Sequence, residues 1–277
     1  MNVVLFHSTD TIPKYIEECV KQIKFYTPDS RIFLLTDKDI ILRQQILEVV
    51  NIRDFGLNFD SLPYYKNDSM ALWRTSALRF FYINEFLKRS KLQNVFHFDN
   101  DVLIYEDLKK IQSNIPLNGN FVITRHKEFE AVCGFVFIKN DEHLSKINDH
   151  LYNYMSKTER ELENNFKSMP HEMRLLGQIF NDTPYIQDFP ILPGWNNFES
   201  YNSVFDPSSY GQYICYNNNI HEGSKSRFID KKILSNEITV RFDKQLKQPF
   251  LECNGQTIKI NNLHIHCKNL KDYISYQ

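Results

Sequence analysis

Two stretches of this sequence bring together groups that can do chemistry. In NVFHFDNDVLIYED, residues 94–107, an alternating apolar run ends in Asp99-Asn100-Asp101, and the apolar character resumes with Val102, Leu103 and Ile104. Alternate residues of an extended chain share a side, so both carboxylates can face one locus. Two like charges at the lip of a buried strand need a cation. A divalent ion such as Mg2+ or Mn2+ takes oxygen ligands and also binds phosphate oxygens. The second stretch is NNLHIHCKNL, residues 261–270, where an extended backbone puts His264, His266 and Lys268 on one face and Leu263, Ile265 and Cys267 on the other. Imidazole is a ligand for Mn2+ beside carboxylates, and a lysine can neutralise diphosphate charge. The chemistry these groups suggest is that of a metal-bridged diphosphate.

The spacing alone proves little. Asp37-Lys38-Asp39 has the same form and also follows an apolar run, yet it reads mainly as a turn or a helix cap. Asp99 and Asp101 differ in their flanks, which are strongly apolar on both sides rather than part of a solvated charge run.

The elements that must hold these residues follow from hydrophobic periodicity. Val3–His7 and RIFLLT, residues 31–36, read as buried strands, and a helical period runs over residues 12–26. Residues 40–50 read as a helix and 51–55 as a third short strand. A long amphipathic helix covers 69–90, with Leu72, Leu78, Phe81, Tyr82, Phe86 and Leu87 as its apolar side. Strands follow at 94–99, 121–124 and 133–138, and helices at 142–157, 159–166 and 172–180. This rhythm predicts an α/β fold with a mixed, mostly parallel central sheet and helices on both faces. From Asp182 onward the sequence is rich in Asn, Tyr, Gly, Pro and Ser, with short strand-like pieces at 212–216, 237–242 and 257–260. The expectation is one domain over 1–277 with an irregular second half packed on the sheet.

Composition removes several function classes. The 277 residues carry 33 basic and 34 acidic side chains, a formal net charge of −1, which does not suit general nucleic-acid binding. The five cysteines are scattered and form no CxxC pair, which argues against a zinc site or a disulfide framework and fits a reducing compartment. The start, MNVVLFHSTDTIP, lacks a basic region and a long apolar run, and no window approaches the ~20 apolar residues of a membrane span. The expectation is a soluble, cytoplasmic protein, with peripheral contact to a membrane surface left open.

The segment TSALRFFYINEFLKRSKLQNVFHFDNDVLIYEDLKKI resembles the centre of GT-A-fold glycosyltransferases, in which an arginine-bearing helix precedes a strand ending in D-x-D. CGFVFIKN, EMRLLGQIFND and LPGWNNF resemble later stretches of that family in the same order, with Glu172 where the family has Asp and Met173 where it has Gln. The late H-x-H-x-K-N-L completes the likeness, which covers about residues 1–270 and is nearest to enzymes of capsule and polysaccharide side chains. The resemblance implies a Rossmann-like GT-A domain with a nucleotide-binding half, 1–110, and an acceptor-binding half, 111–277. It implies transfer of a sugar from a nucleoside-diphosphate donor, most often a UDP-sugar, to a hydroxyl of a glycan or glycoprotein acceptor. It also implies Asp99 and Asp101 as metal ligands with Asn100 beside them, a C-terminal histidine as third ligand, and Lys268 on the phosphate. His266 is the first choice for that ligand and His264 the second.

Other residues have competing readings. Arg79 lies in an apolar stretch, which favours a buried role on Asp99 or the donor sugar over a surface pair with Glu85 or Asp107. Arg74 is a further candidate for the donor, or simply faces water. Thr9 and Asp10, after the first strand, and Asp37, after the second, sit where such folds meet a nucleoside, although each can equally be a cap. Glu172 is the candidate general base for an inverting route; a retaining route needs none. Trp73 reads as core and Trp195 as a loop aromatic able to stack on a sugar. His221-Glu222-Gly223 reads as a polar loop. Two rivals come from other classes: a sugar nucleotidyltransferase, disfavoured because HSTDTIPK lacks a glycine-rich phosphate loop, and a non-catalytic sugar-nucleotide or glycan-binding module.

Overall fold

The structure is a computed structural model that describes residues 1–8, 11–39, 46–66, 71–127, 130–215 and 228–276. The first half contains β1 (Asn2–His7), α1 (Ile16–Tyr26), β2 (Arg31–Thr36), β3 (Glu48–Asn51), α2 (Ala71–Ser90), β4 (Val95–Phe98), β5 (Val102–Ile104) and α3 (Leu108–Ser113). Next come β6 (Phe121–Lys127), β7 (Glu130–Ile138), α4 (Asp141–Met155), α5 (Glu159–Phe166), α6 (Glu172–Asp182) and β8 (Ile186–Asp188). The last third contains α7 (Phe198–Tyr201), α8 (Tyr210–Cys215), α9 (Phe228–Leu234), β9 (Ile238–Asp243), β10 (Gln248–Cys253), β11 (Gln256–Lys259) and β12 (Asn262–His264).

Seven strands form the central sheet in the order β3-β2-β1-β4-β7-β6-β8. All pairings are parallel except those of β7 with β4 and with β6, so the fold is α/β with a mixed, mostly parallel sheet. Period-two alternation sends Val3 and Leu5 of β1 into one core and Val4 and Phe6 into the other. Helices α2, α4 and α6 cover the second face, while α1, α3 and the small β9–β11 sheet cover the first. The first core includes residues from Val3 to Ile274, so the last third of the chain packs directly on the amino-terminal strands.

Several expected elements differ. Residues 40–45 lie outside the described residues; of the rest of the expected helix, 46–47 form a turn and 48–50 belong to β3, which pairs with β2 from Phe33↔Glu48 to Thr36↔Asn51. Ile52–Phe55 is one turn of 3-10 helix rather than a strand, because the Asn51 side chain accepts the Arg53 N–H and Gly56 closes the turn at φ 67°. The buried stripe of α2 runs through Ala77, Phe80, Ile83, Asn84 and Leu87, leaving Leu72 exposed and Phe81 and Tyr82 half-buried. Of the strand expected at 212–216, residues 212–215 belong to α8 and 216 lies outside the described residues. The Asp206 carboxylate accepts the N–H groups of Ser209, Tyr210 and Gly211 and so starts a helix there. No helix among the described residues is long and apolar enough to cross a membrane.

Candidate active site

Strand β4 delivers Asp99 to its carboxyl end, next to the ends of the parallel neighbours β1 and β2, where open α/β sheets bind ligands. The Asp99 N–H still reaches across to the Gly134 carbonyl of β7, at 3.0 Å. The chain then turns, with the Val102 N–H on the Asp99 carbonyl at 3.1 Å, and leaves as β5. β5 pairs antiparallel with β12 in the register Val102↔His264, Leu103↔Leu263 and Ile104↔Asn262. That ribbon joins the two motifs, 163 positions apart in the chain, because it sets His264 opposite the residue that follows Asp101. The Ile265 N–H donates to the Asp101 carbonyl at 2.9 Å and extends the link by one residue.

The result is a cluster of Asp99, Asp101 and His264 whose ligand atoms lie within 4.8 Å of one another. His264 Nε2 is 3.1 Å from Asp101 Oδ1 and 3.9 Å from Asp99 Oδ2. Ligand atoms ~2.1 Å from an octahedral divalent ion lie roughly 3–4 Å apart, so this set fits such an ion with little rearrangement. Two carboxylates and one imidazole suit Mn2+ or Mg2+ rather than a thiophilic metal. Space for the imidazole comes from Gly134. A Cβ there would sit 2.9 Å from His264 Nδ1 and 3.4 Å from Asp99 Oδ2. The histidine in the cluster is therefore His264. His266 stacks on it, with ring centroids 4.3 Å apart, and faces the same cavity.

Cations surround the carboxylates. Arg79, buried in α2, donates from Nη1 to Asp99 Oδ1 at 2.6 Å and from Nη2 to the Cys133 carbonyl at 3.4 Å. Asp99 therefore uses one oxygen on Arg79 and keeps the other toward His264. Lys268 Nζ pairs with Asp101 Oδ2, and Lys268 itself has a left-handed backbone, φ 61°. Burial pushes the Asp101 carboxyl up, but His264 and Lys268 outweigh it and hold the group well below the usual carboxylate range. Burial likewise works against the charged forms of His264 and Lys268, yet Asp101 raises both above their ordinary values. Asn100 faces back into the fold, donating from Nδ2 to the Phe6 carbonyl at 3.1 Å.

These residues line a cavity of about 430 Å³ that also includes Tyr15, Leu72, Trp73, Glu172 and Met173. Glu172 opens α6, and burial pushes its carboxyl up to about 7, with Arg79 opposing and Asp99 adding to the shift. Its Oε2 is buried with no hydrogen-bond partner among the described residues. Trp73 belongs to this cavity rather than the core, half-buried and tilted against His171 at 5.1 Å between ring centroids. A second recess of about 310 Å³ shares Phe6, Ser8 and Thr75 with the first and adds Asp37, Arg53 and Tyr82.

Other candidates are placed elsewhere. Arg74 donates to the carbonyls of Phe59, Leu62 and Tyr64 and fastens that loop to α2. Asp37 lines the second recess but pairs with Lys38 at 3.4 Å, outside the carboxylate cluster. Trp195 packs against the first core. Thr9, Asp10 and His221-Glu222-Gly223 lie outside the described residues. Sequence reasoning missed Asp206 and Ser208. FDPSSYG, residues 205–211, has the signal of a helix start, an acidic cap followed by proline, which marks Asp206 but not the residue it serves.

No family model matches the chain, and no curated protein matches it in sequence. Among solved structures, the galactosyltransferase LgtC in complex with donor and acceptor sugar analogues is similar at 17% identity and a TM-score of 0.42, over 70% of this chain and 76% of that one. Mouse xyloside xylosyltransferase 1 in its apo form is similar at 8% identity and a TM-score of 0.46, over 72% and 91%. The apo-form glycosyltransferase GlyE of Streptococcus pneumoniae is similar at 16% identity and a TM-score of 0.43, over 67% and 44%. Similarity at this level transfers neither substrate nor residue role to this chain.

Proposed function

We propose that this protein is a divalent-metal-dependent glycosyltransferase that moves a sugar from a nucleoside-diphosphate donor, first of all a UDP-sugar, to a hydroxyl of a glycan acceptor. The observation that carries the proposal is the Asp99/Asp101/His264 cluster at the carboxyl end of β4 with Lys268 on its edge. A divalent ion bound there supplies Lewis acidity that offsets the charge growing on a departing diphosphate. Asp99 and Asp101 hold the site, and Arg79 fixes which oxygen of Asp99 faces it. Lys268, already drawn to this locus by Asp101, lies within reach of diphosphate oxygens and adds positive charge where the leaving group forms. The nucleoside occupies the recess lined by Phe6, Asp37 and Tyr82, which shares Phe6, Ser8 and Thr75 with the carboxylate cavity.

Glu172 is the group for the acceptor side. Its carboxyl near 7 is partly ionised at neutral pH, and its unpartnered Oε2 can accept a proton from an acceptor hydroxyl. In this reading residues 1–110 supply most of the nucleotide contacts. Residues 111–277 supply Glu172, the third metal ligand and Lys268. Release of UDP or GDP from their sugars, with and without Mn2+, tests the proposal. Turnover should require the metal, and Asp101→Ala should abolish it while circular dichroism shows an intact fold. Full activity in Asp101→Ala would sink the metal assignment.

A further inference from the structure

The segment that carries Ser208 is built around His264. Asp206 is fully enclosed, and its carboxylate takes four backbone N–H donors: Ser209 at 2.8 Å, Tyr210 at 2.8 Å, Gly211 at 2.9 Å and His264 at 2.9 Å. The last of these ties the backbone of the imidazole ligand to the start of α8. Gly211 permits the approach, since a Cβ there would fall 2.1 Å from the His264 carbonyl oxygen. Within this frame Ser208 is buried at 7% exposure and holds a left-handed backbone, φ 63°. A glycine would adopt that conformation without penalty, so a serine there points to a use for its hydroxyl.

That hydroxyl lies 3.2 Å from His264 Nδ1 and 2.8 Å from His266 Nε2. A hydroxyl carries one proton. For His264 Nε2 to offer its lone pair toward Asp99 and Asp101, the imidazole must carry its proton on Nδ1. Nδ1–H then donates to Ser208 Oγ, and the Ser208 hydroxyl proton has His266 Nε2 as its acceptor. The bonds run in one direction, from His264 through Ser208 to His266. Gly134 lies against Nδ1 as well, its would-be Cβ 2.9 Å away, so the imidazole is held between β7 and Ser208.

We infer that Ser208 is a positioning residue that, with His266 as acceptor, fixes the tautomer of His264 and so presents Nε2 to a divalent metal ion. This inference rests on the metal site proposed above and assigns the second histidine of the H-x-H pair a role as support rather than ligand. The test is Mn2+ titration calorimetry on the full chain as wild type, Ser208→Gly and Ser208→Ala, with thermal unfolding of each metal-free protein as control. Loss of such a supporting hydrogen bond typically weakens metal binding ~10–100-fold, and both variants should fall in that range. Ser208→Gly should do so with an unchanged or raised unfolding midpoint, because glycine relieves the backbone. Nitrogen-15 NMR of the wild type loaded with diamagnetic Zn2+ should place the His264 proton on Nδ1, a reading that needs no variant. Mn2+ affinity within twofold of wild type in both variants, an affinity loss that merely tracks lost stability, or a His264 proton on Nε2 would overturn the inference. A wild type that takes up no Mn2+ would remove the metal site itself and this inference with it. Intact Mn2+ binding that ignores Ser208 removes the inference alone.

Discussion

Replacing Glu172 with glutamine should make the protein's stability less dependent on pH. Burial pushes this carboxyl from 4.5 up to about 7, so the folded state prefers the protonated form. The contribution of a group whose folded pKa is raised is fully present below its unfolded value and is lost as pH rises through the folded one. Between pH 5 and pH 8.5 the wild type should lose about 2.5 kcal/mol relative to Glu172→Gln, from ~1.4 kcal/mol per unit of pKa difference over that window. The amide brings its own burial cost, but that cost does not titrate and cancels when the two pH values are compared. The assay is urea unfolding of both proteins at several pH values with a chelator present. If Glu172 also serves as base, activity should fall below pH ~7 as the carboxylate protonates. A wild-type-minus-variant stability difference that is flat across this range would refute the reasoning, because Glu172 would then be solvated or ion-paired rather than held in a desolvated site.

Arg79→Ala should cost about 3 kcal/mol in denaturant unfolding, near the low end for removing one partner of a buried pair, since Asp99 keeps a quarter of its side chain in water. A loss under ~1 kcal/mol would mean that the Arg79–Asp99 pair is not formed in solution. Gly211→Ala places a Cβ against the His264 backbone and should destabilise by up to ~3 kcal/mol while weakening Mn2+ binding; calorimetry showing wild-type affinity would contradict the packing described. Arg74→Ala removes three bonds to loop carbonyls and should lower stability by ~2 kcal/mol without changing nucleotide affinity, whereas a nucleotide-binding role would change that affinity first.

The parallel strands were legible because both faces of each are buried, so β1, β2 and β4 read as short apolar runs. The carboxylate pair was legible for the same reason, as charge interrupting an apolar stretch. The choice between His264 and His266 was not, because period-two alternation gives both the same face. The pairing of β12 with β5 is what places His264 beside Asp99 and Asp101, and that register comes from contacts between distant parts of the chain. Arg74 and Arg79 lie five residues apart on α2, and the apolar flanks of Arg79 favoured it for the buried role without naming its partner. The tertiary packing of α2 sends Arg79 to Asp99 and Arg74 to the carbonyls of the 59–64 loop. Residues 212–216 show strand-like composition, yet the buried Asp206 cap imposes a helix over 210–215. The core role first given to Trp73 also failed: Trp73 shares the stripe of Ala77 and Phe80, at i+4 and i+7, but sits in the first turn of α2, where that stripe lines the cavity rather than the core.

The central claim is that Asp99, Asp101 and His264 hold a divalent ion through which a nucleoside diphosphate binds. Its most direct test is calorimetric titration of UDP, and of GDP in parallel, into wild type and Asp101→Asn, each with Mn2+ and with a chelator. The account predicts binding of one nucleotide to the wild type with Mn2+, and a large loss of affinity when either the metal or the Asp101 carboxylate is removed. Equal nucleotide affinity in all four conditions would contradict it.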